Sequence, residues 1–186
     1  MRFFSKQHKM TKLEFEELWL EYVVNPLLKL GFQESGKSLF MIKNNTVLSL
    51  IRLGGRHSEP GSICHTFCLR HSFLRNLDEK SLKGFEREPF AYPIKCVPSK
   101  IANICDKDWM YSPQNLKFPR ERFHYFSLNK KQVVNDLVNL QIDLARATEL
   151  LPFKFTTEFL EDQIQKLGED AWIENVWLED YRNYQT

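Results

Sequence analysis

Glycine is scarce in this chain, with seven in 186 residues, and proline adds only eight. That excludes a collagen-like or Pro/Gly-rich low-complexity polymer. Cysteine is limited to Cys64, Cys68, Cys96 and Cys105. Four thiols are too few to staple a chain of this length. The basic start, residues 1–9, lacks the apolar core of a secretory signal, so reduced thiols in a cytoplasm are expected. No apolar run nears the roughly 18 residues that a membrane-spanning helix needs, and no membrane partner is expected. The net charge is only +2, which argues against a dedicated nucleic-acid binder. The phosphate-loop patterns GxxxxGKS/T and GxGxxG are absent, as are internal repeats and any linker that would split the chain.

Hydrophobic residues make up 42% and charged residues 27%, ordinary values for a folded protein. The 15 phenylalanines promise much buried area per residue. A single α+β domain over residues 1–186 is expected, with residues 1–10 as a flexible lead-in and 156–186 as acidic C-terminal helices. Residues 87–131 carry nine Lys/Arg against four Asp/Glu, whereas residues 156–186 carry two against eight. The plainer reading is that the acidic end offsets the basic middle; a basic partner-binding face is the sharper one.

The chain is organised around residues 38–72. Ser38–Lys43, Thr46–Leu53 and residues 62–72 read as three strands, the first two joined at Asn44-Asn45, which tolerate the left-handed conformation of a tight hairpin. With apolar groups on both faces, Thr46–Leu53 reads as an inner strand. Before them, Thr11 and Glu14 have capping-box spacing, and Phe15, Leu18, Trp19, Tyr22, Val23, Leu27 and Leu30 recur at helical spacing. Pro26 is expected to kink that helix or start a second segment. After the strands, a short helix is expected at 77–85, a strand at 94–97 resuming at 101–105, a long loop over 106–122 and an aromatic strand at 123–128. Three helices follow: one opened by Asn129 and Gln132, one from Thr156 or Thr157 to Gly168, and one over 169–184 with Trp172, Ile173, Val176, Trp177 and Tyr181 on one side. The expected fold is an antiparallel sheet of about four to five strands with an N-terminal helix and two or three C-terminal helices packed on it.

Several side-chain sets invite chemistry. Cys64, Cys68 and His71 suggest zinc, but residues four apart on a strand lie about 13 Å apart and one zinc holds its donors within about 2.3 Å. Buried apolar cysteines are the plainer reading; no metal or cofactor is expected. A Cys/His nucleophile would need an activating environment that a strand interior does not offer. The cations Arg52, Arg56, Arg70 and Arg75, with His57 and His71, could form a positive patch, with Arg52 and Arg70 on one sheet face. A solvated sheet edge, where charges discourage edge pairing, is the plainer reading. Trp109 and Tyr111 in the long loop would suit an interface, since Trp and Tyr dominate binding hot spots; packing into the core is the alternative.

The run Asn25-Pro26-Leu27-Leu28-Lys29-Leu30-Gly31-Phe32, the polar step 33–37 before Leu39-Phe40, and the strand around Val47–Leu53 form a pattern. It resembles the bacterial domain-of-unknown-function family four-three-zero-four. Ile101–Ile104 with Asp108-Trp109, and the Leu150–Phe153 step, look like its downstream part; residues 74–92 and the acidic C-terminal helix have no counterpart. The resemblance implies an α+β fold and brings no catalytic residues. By analogy with small bacterial domains of this style, a cytoplasmic, non-enzymatic protein-binding module of inhibitor or immunity type is expected. The alternative is an enzyme or binder for a phosphate-bearing or nucleic-acid ligand through Arg52, Arg56, His57 and Arg70.

Overall fold

A computed structural model describes residues 10–54, 59–75, 84–92, 94–96, 121–150 and 157–185. The Thr11 hydroxyl accepts from the Glu14 amide at 3.2 Å while the Glu14 carboxylate accepts from the Thr11 amide at 2.7 Å. This reciprocal cap starts α1, Lys12–Trp19. The helix does not break at Pro26. Leu20–Val24 widens into a π turn, in which the Asn25 amide reaches back to Leu20, and α2, Asn25–Lys29, continues from it. Proline has no amide to donate and its ring crowds the carbonyl four residues back. The wider turn accommodates both defects.

Gly31, at φ +98°, ends the helix. The chain enters β1 (Gln33–Ser35), β2 (Ser38–Lys43), β3 (Thr46–Leu53) and β4 (Ser62–His71). Asn44 and Asn45 both have positive φ, as the two-residue hairpin demands. β1 corrects the sequence reading, which took residues 33–37 as a mere step. Its residues are polar and mostly exposed, so they show no apolar alternation. β5 (Ile94–Cys96) and β6 (Glu121–His124) both pair with β4, at residues 67–69 and 62–65. The result is a six-stranded antiparallel sheet, β1-β2-β3-β4-β5 with β6 beside β5 on β4. The aromatic strand expected at 123–128 is shorter: after His124 the chain turns through a 3₁₀ segment, Tyr125–Ser127. There Tyr125 is drawn inward to stack on Phe15, with centroids 4.3 Å apart.

α3 (Lys130–Leu150) starts at the expected Asn129–Gln132 box, closed by reciprocal bonds of 2.9 and 3.1 Å. α4 (Thr157–Leu167) ends at Gly168, φ +60°, and α5 (Trp172–Gln185) follows a 3₁₀ turn. The class is α+β, with the N-terminal helix and the C-terminal helices on the sheet, as expected. No helix among the described residues is long and apolar enough to cross a membrane.

One sheet face carries the main core. Leu39, Met41, Leu48, Leu50, Phe67 and Leu69 meet Phe15, Leu18 and Val23 of the first helix, Val133, Leu137 and Leu144 of α3, and Ile173 and Trp177 of α5. The expected apolar stripes include two residues that the structure leaves outside: Leu30 and Trp172 are 50% and 67% exposed. Each sits at the end of its helix, where the stripe has run past the sheet.

The opposite face holds a smaller core of Val47, Ile51 and Cys68 under a strap formed by residues 84–92. Tyr92 is its anchor. Its hydroxyl lies 2.9 Å from Ser49 Oγ, accepts from the Glu86 amide at 3.1 Å and donates to the Glu86 carbonyl at 3.0 Å. Phe85 stacks on Phe40 at 4.8 Å. Tyr92→Phe strands buried polar groups, and a loss of about 2 kcal/mol is expected in urea denaturation. A loss below a few tenths would show that the strap does not depend on this hydroxyl.

Candidate functional site

Of the cation set suggested by the sequence, the described members Arg52 and Arg70 are not brought together. In the β3–β4 register Arg52 stands opposite His65 and Arg70 opposite Val47, so the two arginines lie on opposite sheet faces. This corrects the expectation of one shared face. Odd and even positions diverge along a strand, and the register across Asn44-Asn45 and the 54–61 connection puts the two cations out of phase.

Each described arginine of that set is also engaged. Arg52 forms two bonds to Glu16, at 2.8 and 2.6 Å, with Lys37 on the same carboxylate at 3.0 Å. Burial raises the Glu16 carboxyl, but the hydrogen bonds from Arg52 and Lys37 together hold it below its ordinary value. Arg70 is fully buried, lies 5.6 Å from the Tyr92 ring centroid and donates to the Gly84 carbonyl in the strap. Arg75 is held by Asp180 and Glu179 of α5, at 2.5 and 2.7 Å, while Trp177 donates to the Arg75 carbonyl at 2.9 Å. Arg56, His57, Trp109, Tyr111 and the loop 106–120 lie outside the described residues, as do residues 76–83 and 101–105.

β4 carries the thiols and imidazoles. Cys64 and Cys68 are buried thiols with no disulfide between them. Burial pushes the Cys68 thiol up to about 12, against smaller opposing effects of Lys95 and Thr66, which is the inert cysteine that strand geometry suggests. His71 sits by Thr46, 3.1 Å from its hydroxyl, and stacks on Phe73 at 5.2 Å. Burial lowers its imidazole to about 4, against a weaker upward effect of the Asn45 backbone. His65 is 2% exposed, and burial, then the Arg52 charge, lowers it to about 4. Lys95, also buried, is lowered to about 8 by burial, against the upward pull of Cys68 and Glu174.

Two cavities flank this region. The one beside the 54–61 connection, about 710 Å³, is lined by Lys12, Lys37, Arg52, Glu59, Tyr125 and Phe126 among others. Its charges are largely satisfied from within: Glu16 holds Lys37 and Arg52, and Glu59 pairs with Arg122.

The other cavity, about 630 Å³, lies between the first helix, β4, β6 and α3. Trp19, His65 and Phe123 line its sheet side, and the Trp19 and His65 rings meet edge-on at 5.9 Å. Asp136, Asn139, Asp143 and Arg146 line it from α3, with Leu137, Leu140 and Ile142 between them. Burial raises the Asp143 carboxyl, only partly offset by Arg146. Among the described residues the buried His65 Nδ1 has no hydrogen-bond partner. Volume, aromatic walls, a few convergent polar groups and shifted pKa values together mark this cavity as the candidate site.

Sequence reasoning placed Trp19 on the apolar stripe of the first helix and weighed the β4 histidines only beside a metal or a cysteine nucleophile. It passed over the α3 residues. Their spacing of three and four was visible, but a polar helical stripe reads as a solvated face until a neighbour borders it.

Fold and cavity together define an α+β domain with a helix-walled pocket against one end of its sheet. Comparison with known protein families, with curated proteins and with solved structures yields no match.

Proposed function

We propose that the protein is a non-enzymatic binding module, of inhibitor or immunity type, that engages another protein in a bacterial cytoplasm. The observation that carries this reading is the cavity of about 630 Å³ between helix one and α3, a size suited to a projecting side chain or small group. Its rim carries Ile142, a large apolar side chain left 46% exposed. Binding is favoured over turnover by the state of the imidazole in the lining: His65, lowered to about 4, is a weak base at neutral pH. The interface anchors expected at Trp109 and Tyr111 lie outside the described residues, and the reading does not rest on them. The phosphate-binding alternative loses its main support, because Arg52 and Arg70 occupy opposite faces.

The test compares tagged wild type with Asn139→Trp, which fills the cavity from an exposed helix position, in pull-downs from the native cells. The wild type should retain one partner, and the variant should retain about tenfold less, the loss typical of a disrupted hot spot. No partner for folded wild type, or equal capture by both, would overturn the proposal.

A further inference from the structure

We propose that this cavity is a receptor for an alkylguanidinium or alkylammonium group, carried by a Lys or Arg side chain of the partner or by a free small molecule. The choice of a partner side chain rests on the function proposed above; the cation chemistry rests on the cavity alone.

Charge is the first argument. Among the described residues the lining holds two carboxylates, Asp136 and Asp143, and one cation, Arg146, with His65 neutral. Two negative charges and one positive leave this described lining at net −1. Asp136 and Asp143 stand seven residues apart on α3, two turns and about 10 Å along the axis, with Asn139 between them. A cation entering at Asn139 meets one carboxylate on either side.

The second argument is what the carboxylates lack. Among the described residues no group donates a hydrogen bond to Asp136 or Asp143. Asp143 is half-buried, and a carboxylate that loses water without gaining donors is destabilised. A bound guanidinium or ammonium supplies donors and opposite charge together.

The third argument is His65. It lines the cavity, is 2% exposed and, among the described residues, leaves Nδ1 without a partner. The nearby Arg52 guanidinium is bound at both ends by Glu16. Burial first, and then the charge of this engaged Arg52, keeps the imidazole neutral. A neutral imidazole can accept from an N–H donor, whereas an anion would meet no imidazolium here. Finally, Phe123, Leu137, Leu140 and Ile142 give the cavity apolar walls. These suit an alkyl stem and disfavour a bare hydrated ion.

The experiment titrates the purified full chain with n-butylguanidinium, n-butylammonium, n-butanol and n-butyl phosphate, followed by amide and indole NMR shifts. A blocked Gly-Arg-Gly peptide forms a fifth arm. The cations should bind about tenfold or more tighter than butanol, with shifts at Trp19 and α3. Asp143→Asn and Asp136→Asn, both at the helix surface, should each weaken the cations several-fold while leaving butanol unchanged. Tighter binding of the peptide than of butylguanidinium assigns the cation to a protein side chain; the reverse assigns it to a small molecule. Butyl phosphate binding best, butanol matching the cations, or no response to either Asp variant would overturn the inference. Cation binding with no captured partner would sink the protein-partner reading alone, and a captured partner with no cation binding would sink this inference alone.

Discussion

Between pH 7 and pH 5 the fold is expected to lose about 4 kcal/mol of stability, through the two buried histidines of β4. His65 and His71 are each lowered from 6.5 to about 4 in the folded protein. The unfolded chain therefore takes up protons first. Their contribution is fully present above the unfolded value near 6.5 and is lost as pH falls toward the folded value near 4. Within that window each histidine costs close to a factor of ten in the folding constant per pH unit. For His65 the main cause is burial, with the Arg52 charge adding to it. For His71 it is burial, opposed by the Asn45 backbone. Glu16 acts in a lower window. Its carboxyl is held below 4.5, so the stability it adds is present above that value and disappears as pH falls through its folded value. Urea denaturation at several pH values separates the two effects. His65→Gln should remove about half of the loss between pH 7 and pH 5. A flat profile for wild type over that range would rule out buried neutral imidazoles.

Phe15→Ala should cost about 4 kcal/mol. Phe15 is fully buried and is the hub of an aromatic cluster that joins the first helix to the end of β6. Its ring stacks on Tyr125 at 4.3 Å and lies 5.8 Å from Phe123 and 6.1 Å from Trp19. Truncation removes an aromatic ring's worth of burial and leaves a void that three other rings cannot close without moving. Two of those rings, Trp19 and Phe123, also line the candidate cavity. Phe15→Leu retains most of the burial and should cost about 1.5 kcal/mol. The measurement is denaturant unfolding at pH 7, where both histidines are neutral. A loss under about 1 kcal/mol for the alanine variant would mean that the cluster is not tightly packed.

The first helix, the hairpin at Asn44-Asn45 and the opening of α3 were legible because each is written in neighbouring residues. Capping boxes, paired asparagines and helical stripes act over three to seven positions. Pro26 was legible as a disturbance, though not as a π turn. The contacts between Arg52 and Glu16, 36 residues apart, and between Arg75 and Asp180, 105 apart, could not be read. Nothing local in Glu16 distinguishes it from Glu14, Glu17 or Glu21. The same limit hid the cavity. It exists because β4, the first helix and α3 meet, and no one of them carries its signature. The geometric argument against a shared zinc at Cys64 and Cys68 depended only on a strand being extended, and β4 is extended through both.

The outer edges of the sheet bear on how the molecule behaves among its own copies. β1 at one edge has three residues, and β5 and β6 at the other have three and four. The long, apolar β3 and β4 lie inside, hydrogen-bonded on both sides. Among the described residues a neighbouring chain thus finds short edges, one of them the polar Gln33-Glu34-Ser35, on which to add a strand. The arrangement protects the folded protein against sheet-to-sheet growth into fibrils. Among the described residues β1 pairs with residues 38–40 of β2, so its loss would lengthen an edge that residues 41–43, with Ile42 49% exposed, already present.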